Sequence, residues 1–201
     1  MPEIIKNGYK TILCDPPWPE KGGGVIRRGA DRHYDLMSVK AIAALPVQNL
    51  VHPHGAHLYL WTTNNYLADA ITILQGWGFI YKTCITWQKN GNPGLGQYFR
   101  GLSEHVLFAV TKTRLPYKTI AGKRAQGVTA FTSPRKEHSC KPDELRQMAE
   151  RVSYSPRIEL FARENCPDWT CVGAELDLVL LPKHRRFGTC SSRQDRLFVY
   201  F

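Results

Sequence analysis

Tyr9-Lys10-Thr11-Ile12-Leu13-Cys14-Asp15-Pro16-Pro17-Trp18 is the stretch that decides the fold. Residues 9–14 form a short apolar run that predicts a buried strand, and the run stops at a carboxylate followed by two prolines. In a doubly wound sheet, ligand sites form where strands end and loops begin. Asp15 is therefore placed for chemistry. The prolines fix the backbone and carry no N–H donors. The loop presents carbonyl acceptors and a carboxylate with few competing backbone donors, and Trp18 adds a broad flat face beside them.

Working outward, short apolar runs alternate with helical patterns. A loop rich in Gly and Arg spans Glu20 to Asp31, and Ser38 can cap a short helix over Val39–Leu45, stopped by Pro46. His57–Thr62 predicts a second strand, and Asn64 or Asn65 a cap for a helix over Tyr66–Gln75. Phe79–Trp87, His105–Val110 and Ile158–Ala162 predict further strands. Lys89–Leu102 is glycine-rich, and residues 112–137 carry too many basic and small residues to assign. Pro142 suits the first turn of a helix running to about Arg151, with Asp143 and Glu144 at its positive end. Strands alternating with helices imply an α/β fold with a largely parallel sheet covered on both faces.

The 201 residues suit one domain with one continuous core, and a 43% apolar share excludes a disordered chain. No uninterrupted apolar run reaches the ~18 residues of a membrane span. The opening residues MPEIIKNGYK lack a secretory apolar stretch. A cytoplasmic protein is expected. The cysteines, Cys14, Cys84, Cys140, Cys166, Cys171 and Cys190, form no CxxC pair and are expected to be reduced and partly buried. His52, His54 and His57 read as a polar loop before a strand, and no metal is expected. A formal charge of +10 favours a polyanionic partner, nucleic acid being the commonest.

The Asp15 loop suits one reaction in particular. The exocyclic amine of adenine is a poor nucleophile because its lone pair is delocalised into the ring. Two acceptors can hold its N–H bonds and turn the lone pair toward an electrophile. The Asp15 carboxylate is one acceptor, and the Pro16 carbonyl is the other. Trp18 can stack on the base. Orientation of this kind supplies a large part of a rate gain. The bland alternative is a Pro-Pro turn with Trp18 in the core.

Further pieces recur in order: Tyr34-x-x-Met37-Ser38, Leu60-Trp61-x-Thr63, Trp77-Gly78-Phe79, Trp87-x-Lys89, Glu104-His105, His138-Ser139-x-Lys141-Pro142-Asp143-Glu144 and Ile158-Glu159-Leu160-Phe161-x-Arg163. With Cys14–Trp18 they make the chain resemble the MT-A70 family of N6-adenine methyltransferases, of the bacterial and phage type, from about Tyr9 to Asp177. The resemblance implies a permuted Rossmann-like methyltransferase fold in a single domain. Residues 1–181 form that domain, and 182–201 a tail of unknown role. It implies S-adenosyl-L-methionine as cofactor. Lys141 should contact its methionine carboxylate, and Asp15 its amine. Phe161, Arg163 and Asn165 should line the ribose or methionine side. Glu175 falls near a ribose-contacting position, and His138 shapes the same wall. Tyr34, Glu104 and His105 should lie near the substrate, and Arg100 either contacts phosphate or is plain surface. As structural alternatives, Arg163 pairs with Glu159 or Glu175, and Lys141 caps a helix or faces solvent.

The sequence departs from the family in Trp169-Thr170-Cys171-Val172-Gly173-Ala174-Glu175, where a second Trp and an Asn are absent. Small stand-alone members are similar to the bacterial and phage DNA enzymes, so adenine in DNA is the expected substrate. RNA is the runner-up, and a non-catalytic nucleic-acid-binding subunit the further alternative. With no room for a separate recognition domain, the target is read by basic loops, a protein partner or a homo-oligomer.

Overall fold

The computed structural model describes residues 7–20, 36–94, 98–135, 140–173, 176, 178–181 and 197–200, the last two stretches as backbone only. In chain order the strands are β1 (Thr11–Cys14), β2 (His57–Thr62), β3 (Phe79–Asn90), β4 (Ser103–Thr111), β5 (Thr119–Ile120), β6 (Lys123–Arg124), β7 (Ala130–Pro134), β8 (Arg157–Leu160) and β9 (Thr170–Val172). Then come β10 (Leu178–Leu181) and β11 (Leu197–Tyr200). The helices are α1 (Val39–Ala43), α2 (Leu67–Gly76) and α3 (Asp143–Val152).

Seven strands form one sheet in the order β7-β3-β4-β2-β1-β8-β9. β1 pairs parallel with β2 and β8, β8 with β9, and β3 with β7. β4 runs antiparallel to both of its neighbours, β2 and β3. The expected α/β sheet forms, a single domain consistent with a Rossmann-like methyltransferase fold, but it is mixed because β4 is reversed, which the sequence reading did not anticipate.

Alternation along each strand fills two cores. Ile12, Cys14, Leu58, Leu60, Leu107 and Ala109 pack with Ile42 of α1 and Ala70, Ile73 and Leu74 of α2. Their neighbours Leu13, Tyr59, Trp61, Ile85, Trp87 and Val106 pack on the other face with Leu145 and Ala149 of α3. Both faces are covered, which is why β1 and β2 are buried along their whole length.

Several boundaries shift for local reasons. β8 stops at Leu160, short of the expected Ala162, because Phe161 has φ 64°, outside extended space. β3 runs on to Asn90 because β7 pairs with it as far as Pro134. Asn64 and Asn65 do not cap α2. They lie in a 3-10 turn behind Thr63, and their side chains are used elsewhere. Pro142 is the N-cap of α3, one place before its first turn. Ser38 caps α1 as expected, accepting from the Ala41 N–H at 3.1 Å. β10, at the end of the expected domain, pairs parallel with β11 in the tail.

Candidate active site

One edge of the sheet gathers the expected site residues. The parallel strands β1, β2, β3 and β8 all end there, and the antiparallel β4 begins there, with Thr62 opposite His105 and Trp87 opposite Glu104. The two-residue period of a strand sets the face. Asp15 follows Leu13, Lys89 follows Trp87, and Glu104 precedes Val106, all on the α3 side. Lys141, just ahead of α3, enters among them.

The Lys141 ammonium lies 2.9 Å from Asp15 Oδ2 and 3.3 Å from Glu104 Oε2. The Lys89 ammonium closes on the other Glu104 oxygen, Oε1. The result is an alternating chain, Asp15–Lys141–Glu104–Lys89, with each side chain only 17–23% exposed. Two indoles floor it: Lys141 Nζ is 5.3 Å from the Trp61 ring centre and Lys89 Nζ 5.0 Å from that of Trp87. The two carboxylates diverge. Burial raises both, but at Glu104 the two ammoniums outweigh it and hold the carboxyl below its ordinary value. At Asp15 burial wins over the shared Lys141, with Glu104 adding to the rise, so its carboxyl lies above the ordinary value. Burial alone would lower Lys141, yet Asp15 and Glu104 keep it firmly charged.

The loop after Asp15 differs from expectation in two respects. The Trp18 indole is buried, donates from Nε1 to the Trp61 carbonyl at 2.9 Å, and stacks on Tyr66 with ring centres 5.3 Å apart. It therefore braces the loop, where an open stacking face was expected. The loop carbonyls also have donors: Pro16 O accepts from the Trp18 N–H at 2.8 Å and Pro17 O from the Met37 N–H at 2.9 Å. Pro16 O keeps one lone pair for another donor.

On the β8 side, Phe161 is held at positive φ, Ala162 donates to Val172 O at 3.0 Å, and Arg163 is half-buried within electrostatic range of Asp15. Asn165 is exposed. Glu159 pairs with Arg146 at 3.1 Å, and Glu175, the other partner considered for Arg163, lies outside the described residues. Tyr34, His138 and Glu175 lie outside the described residues.

A cleft of about 1110 Å³ opens from Glu104 and Lys89 toward Glu20, Asn64 and the loop bearing Tyr98 and Phe99. His105 Nε2 lies 2.8 Å from Asn64 Oδ1 and Nδ1 3.1 Å from Thr86 Oγ1. The expected substrate-side pair Glu104-His105 is thus split, the carboxylate in the charge chain and the ring in a polar bracket beside it. The Arg100 guanidinium borders the cleft and donates to Gly94 O at 2.9 Å and Pro93 O at 2.8 Å, two of its five N–H donors. Glu20, unnoticed in the sequence, accepts from Thr63 Oγ1 and from Asn65 Nδ2 at 3.0 Å, tying the loop after Asp15 to the end of β2. The period-two spacing of Trp87 and Lys89 was the available signal for the charge chain's far end, and no local pattern marked Glu20.

The MT-A70 family model matches residues 9–175, most of the chain. The chain belongs to the MT-A70 family. Among curated proteins it is 28% identical to the Type II methyltransferase M.MunI from Mycoplasma sp, over 87% of this chain and 81% of that protein. It is 27% identical to a putative N(6)-adenosine-methyltransferase MT-A70-like from Medicago truncatula and 26% identical to a probable one from Oryza sativa subsp. japonica. Those matches cover 88% of this chain but only 28% and 24% of the plant proteins, so the chain spans about a quarter of their length. The relatives are methyltransferases by name, and the charge chain from Asp15 to Lys141 lies within the residues of this chain that the family model matches.

Proposed function

We propose that this MT-A70 chain transfers a methyl group from S-adenosyl-L-methionine to the N6 amine of adenine in DNA. The observation that carries the reading is the Asp15 carboxylate, held at the end of β1 by Lys141 and made more basic than an ordinary carboxylate by burial. Such a group accepts an N–H bond well. With the open lone pair of Pro16 O it can hold both hydrogens of a planar amine and direct the nitrogen lone pair out of the ring plane.

The residues fit the cofactor in kind. A lysine ammonium has three donors; Asp15 and Glu104 engage two, and one remains for an anionic group such as a methionine carboxylate. Arg163 brings a second cation to the same strand end, beside Phe161 and Asn165. When bound, the cofactor supplies an electrophilic methyl group. The chain itself orients the amine, and the Asp15 carboxylate, more basic than an ordinary one, accepts the proton that the methylated nitrogen releases. Glu104 and Lys89 set the position and charge of Lys141.

DNA is preferred because the chain covers 81% of the compact Mycoplasma methyltransferase. RNA remains the second reading, favoured by the names of the plant relatives. The test is transfer from methyl-labelled S-adenosyl-L-methionine to adenine-containing DNA and RNA oligonucleotides, beside an Asp15→Ala control. Label on adenine N6 in DNA, abolished by the control, is the expected result. Absence of transfer to either nucleic acid would sink the proposal, and transfer to RNA alone would move it to the second reading.

A further inference from the structure

Tyr98 and Phe99 are consecutive, 91% and 92% exposed, and both border the cleft that leads to Glu104. Exposed rings on a loose loop would be unremarkable, but the described residues around these two are tied together across the loop. Lys89 donates to Leu102 O at 2.7 Å, Gly94 to Gly101 O at 2.8 Å, and Arg100, the next residue, donates to both Pro93 O and Gly94 O. Two bare rings are thus held out at the mouth of the site, at a standing cost in hydration that a partner would remove.

Among the described residues, no other exposed aromatic side chain borders this cleft. Trp18, Trp61 and Trp87 are buried, between 2% and 5% exposed. Tyr117, 71% exposed, is covered on one face by the Arg124 guanidinium 3.6 Å from its centre, away from this cleft. The stacking role that Trp18 leaves open therefore falls to the rim. The chemistry around the pair selects the partner: flat apolar faces with Arg100, Arg135 and Lys89 bordering the same cleft suit a planar ring carried on a polyanion.

We propose that Tyr98 and Phe99 form a stacking platform for unpaired bases of the nucleic acid that enters the cleft. The proposal deepens the methyltransferase reading, on which it rests for the identity of the ligand. The platform holds the strand beside the target and, in a duplex, takes the stack that a flipped adenine gives up.

The test uses the full chain and a fluorescently labelled single-stranded DNA oligonucleotide with 2-aminopurine next to its one adenine. Wild type should bind and quench the 2-aminopurine. Tyr98→Ala and Phe99→Ala should each weaken binding by between about fivefold and a hundredfold, and the double variant should also lose the quench. Tyr98→Phe and Phe99→Trp should retain both. Unchanged S-adenosyl-L-methionine affinity in every variant reports an intact fold. Wild-type affinity and quench in the double variant would overturn the platform. So would oligonucleotide binding that is unchanged while sedimentation shows a wild-type dimer dissociating in the double variant, which assigns the rings to a second copy. Binding and quenching without methyl transfer would support the platform and remove the methyl-transfer reading alone.

Discussion

At the scale of single residues, Asp15 and Glu104 are two carboxylates bridged by one lysine, and their environments push them in opposite directions. The acceptor role requires ionised Asp15. Its raised value means that acid protonates it earlier than an ordinary carboxylate, so kcat should fall on the acid side above the usual carboxylate range of about 4. Glu104→Gln removes a negative neighbour that contributes to the rise and leaves Lys141 to Asp15 alone. The acid limb of the pH–kcat profile should then move to lower pH. An unmoved limb would show that Glu104 does not set Asp15. Asp15→Asn cannot hold both roles of the carboxylate and should lower kcat by about a hundredfold or more, with cofactor affinity measured alongside. Asp15 was marked by its place between a buried strand and two prolines, and Lys141 by the family resemblance of the stretch around it. Glu20 and the bracket around His105 were not legible, because Asn65 lies 45 residues from Glu20, Asn64 and Thr86 lie 41 and 19 from His105, and only the closed sheet brings them together.

At the scale of elements, the loops after β1 and β8 are set by close backbone packing. A Cβ on Gly173 would stand 1.8 Å from Ala162 O, a backbone atom that cannot yield alone. Gly173→Ala should therefore cost about 1–3 kcal/mol and displace Phe161 and Arg163, lowering Tm and cofactor affinity together in thermal melts and titrations. Trp18→Ala should cost about 3–5 kcal/mol by emptying its buried site. Trp18→Phe keeps a ring against Tyr66 but loses the bond to Trp61 O, and should cost about 1 kcal/mol. Strands and helices with a clear period were legible from sequence to within a few residues. β7 was not, because Ala130–Pro134 has no apolar alternation and becomes a strand by pairing with β3. The exit of β8 was not, because nothing local announces Phe161 at positive φ.

At the scale of the whole molecule, charge and titration are distributed over two opposite edges. Lys112 and Arg114 follow the end of β4 that faces His57, far from the edge where Asp15 lies, and Lys118 is occupied with the carbonyls of Glu150 and Ser153 at 2.6 and 3.2 Å. Arg135, at the working edge, borders the cleft. Arg135→Ala should thus reduce the salt slope of DNA binding by about one, while Lys112→Ala and Arg114→Ala should leave it close to wild type. Measured slopes of equal size for all three would contradict this partition. Stability has its own pH dependence through His57, whose ring is buried beside Phe108 and lies 2.7 Å from Ser153 Oγ. Burial lowers its pKa from 6.5 to about 4. The unfolded chain binds that proton below about 6.5 while the folded chain refuses it until about 4, so stability is lost as pH falls through that window. The loss should reach about 3 kcal/mol, and His57→Gln should flatten it in denaturant melts across the same pH range.

The reversed course of β4 has a consequence for how such a protein diversifies. Because β4 runs antiparallel to β3, the two share a hairpin, and its tip emerges beside the chemistry with both stems locked in register by β2 and β7. A crossover helix in that position would have committed the connection to covering the sheet. The hairpin carries no such duty. Sequence changes between Asn90 and Ser103 therefore leave the paired strands that carry Lys89 and Glu104 in register, so the segment bordering the cleft is free to vary while the charge chain is kept.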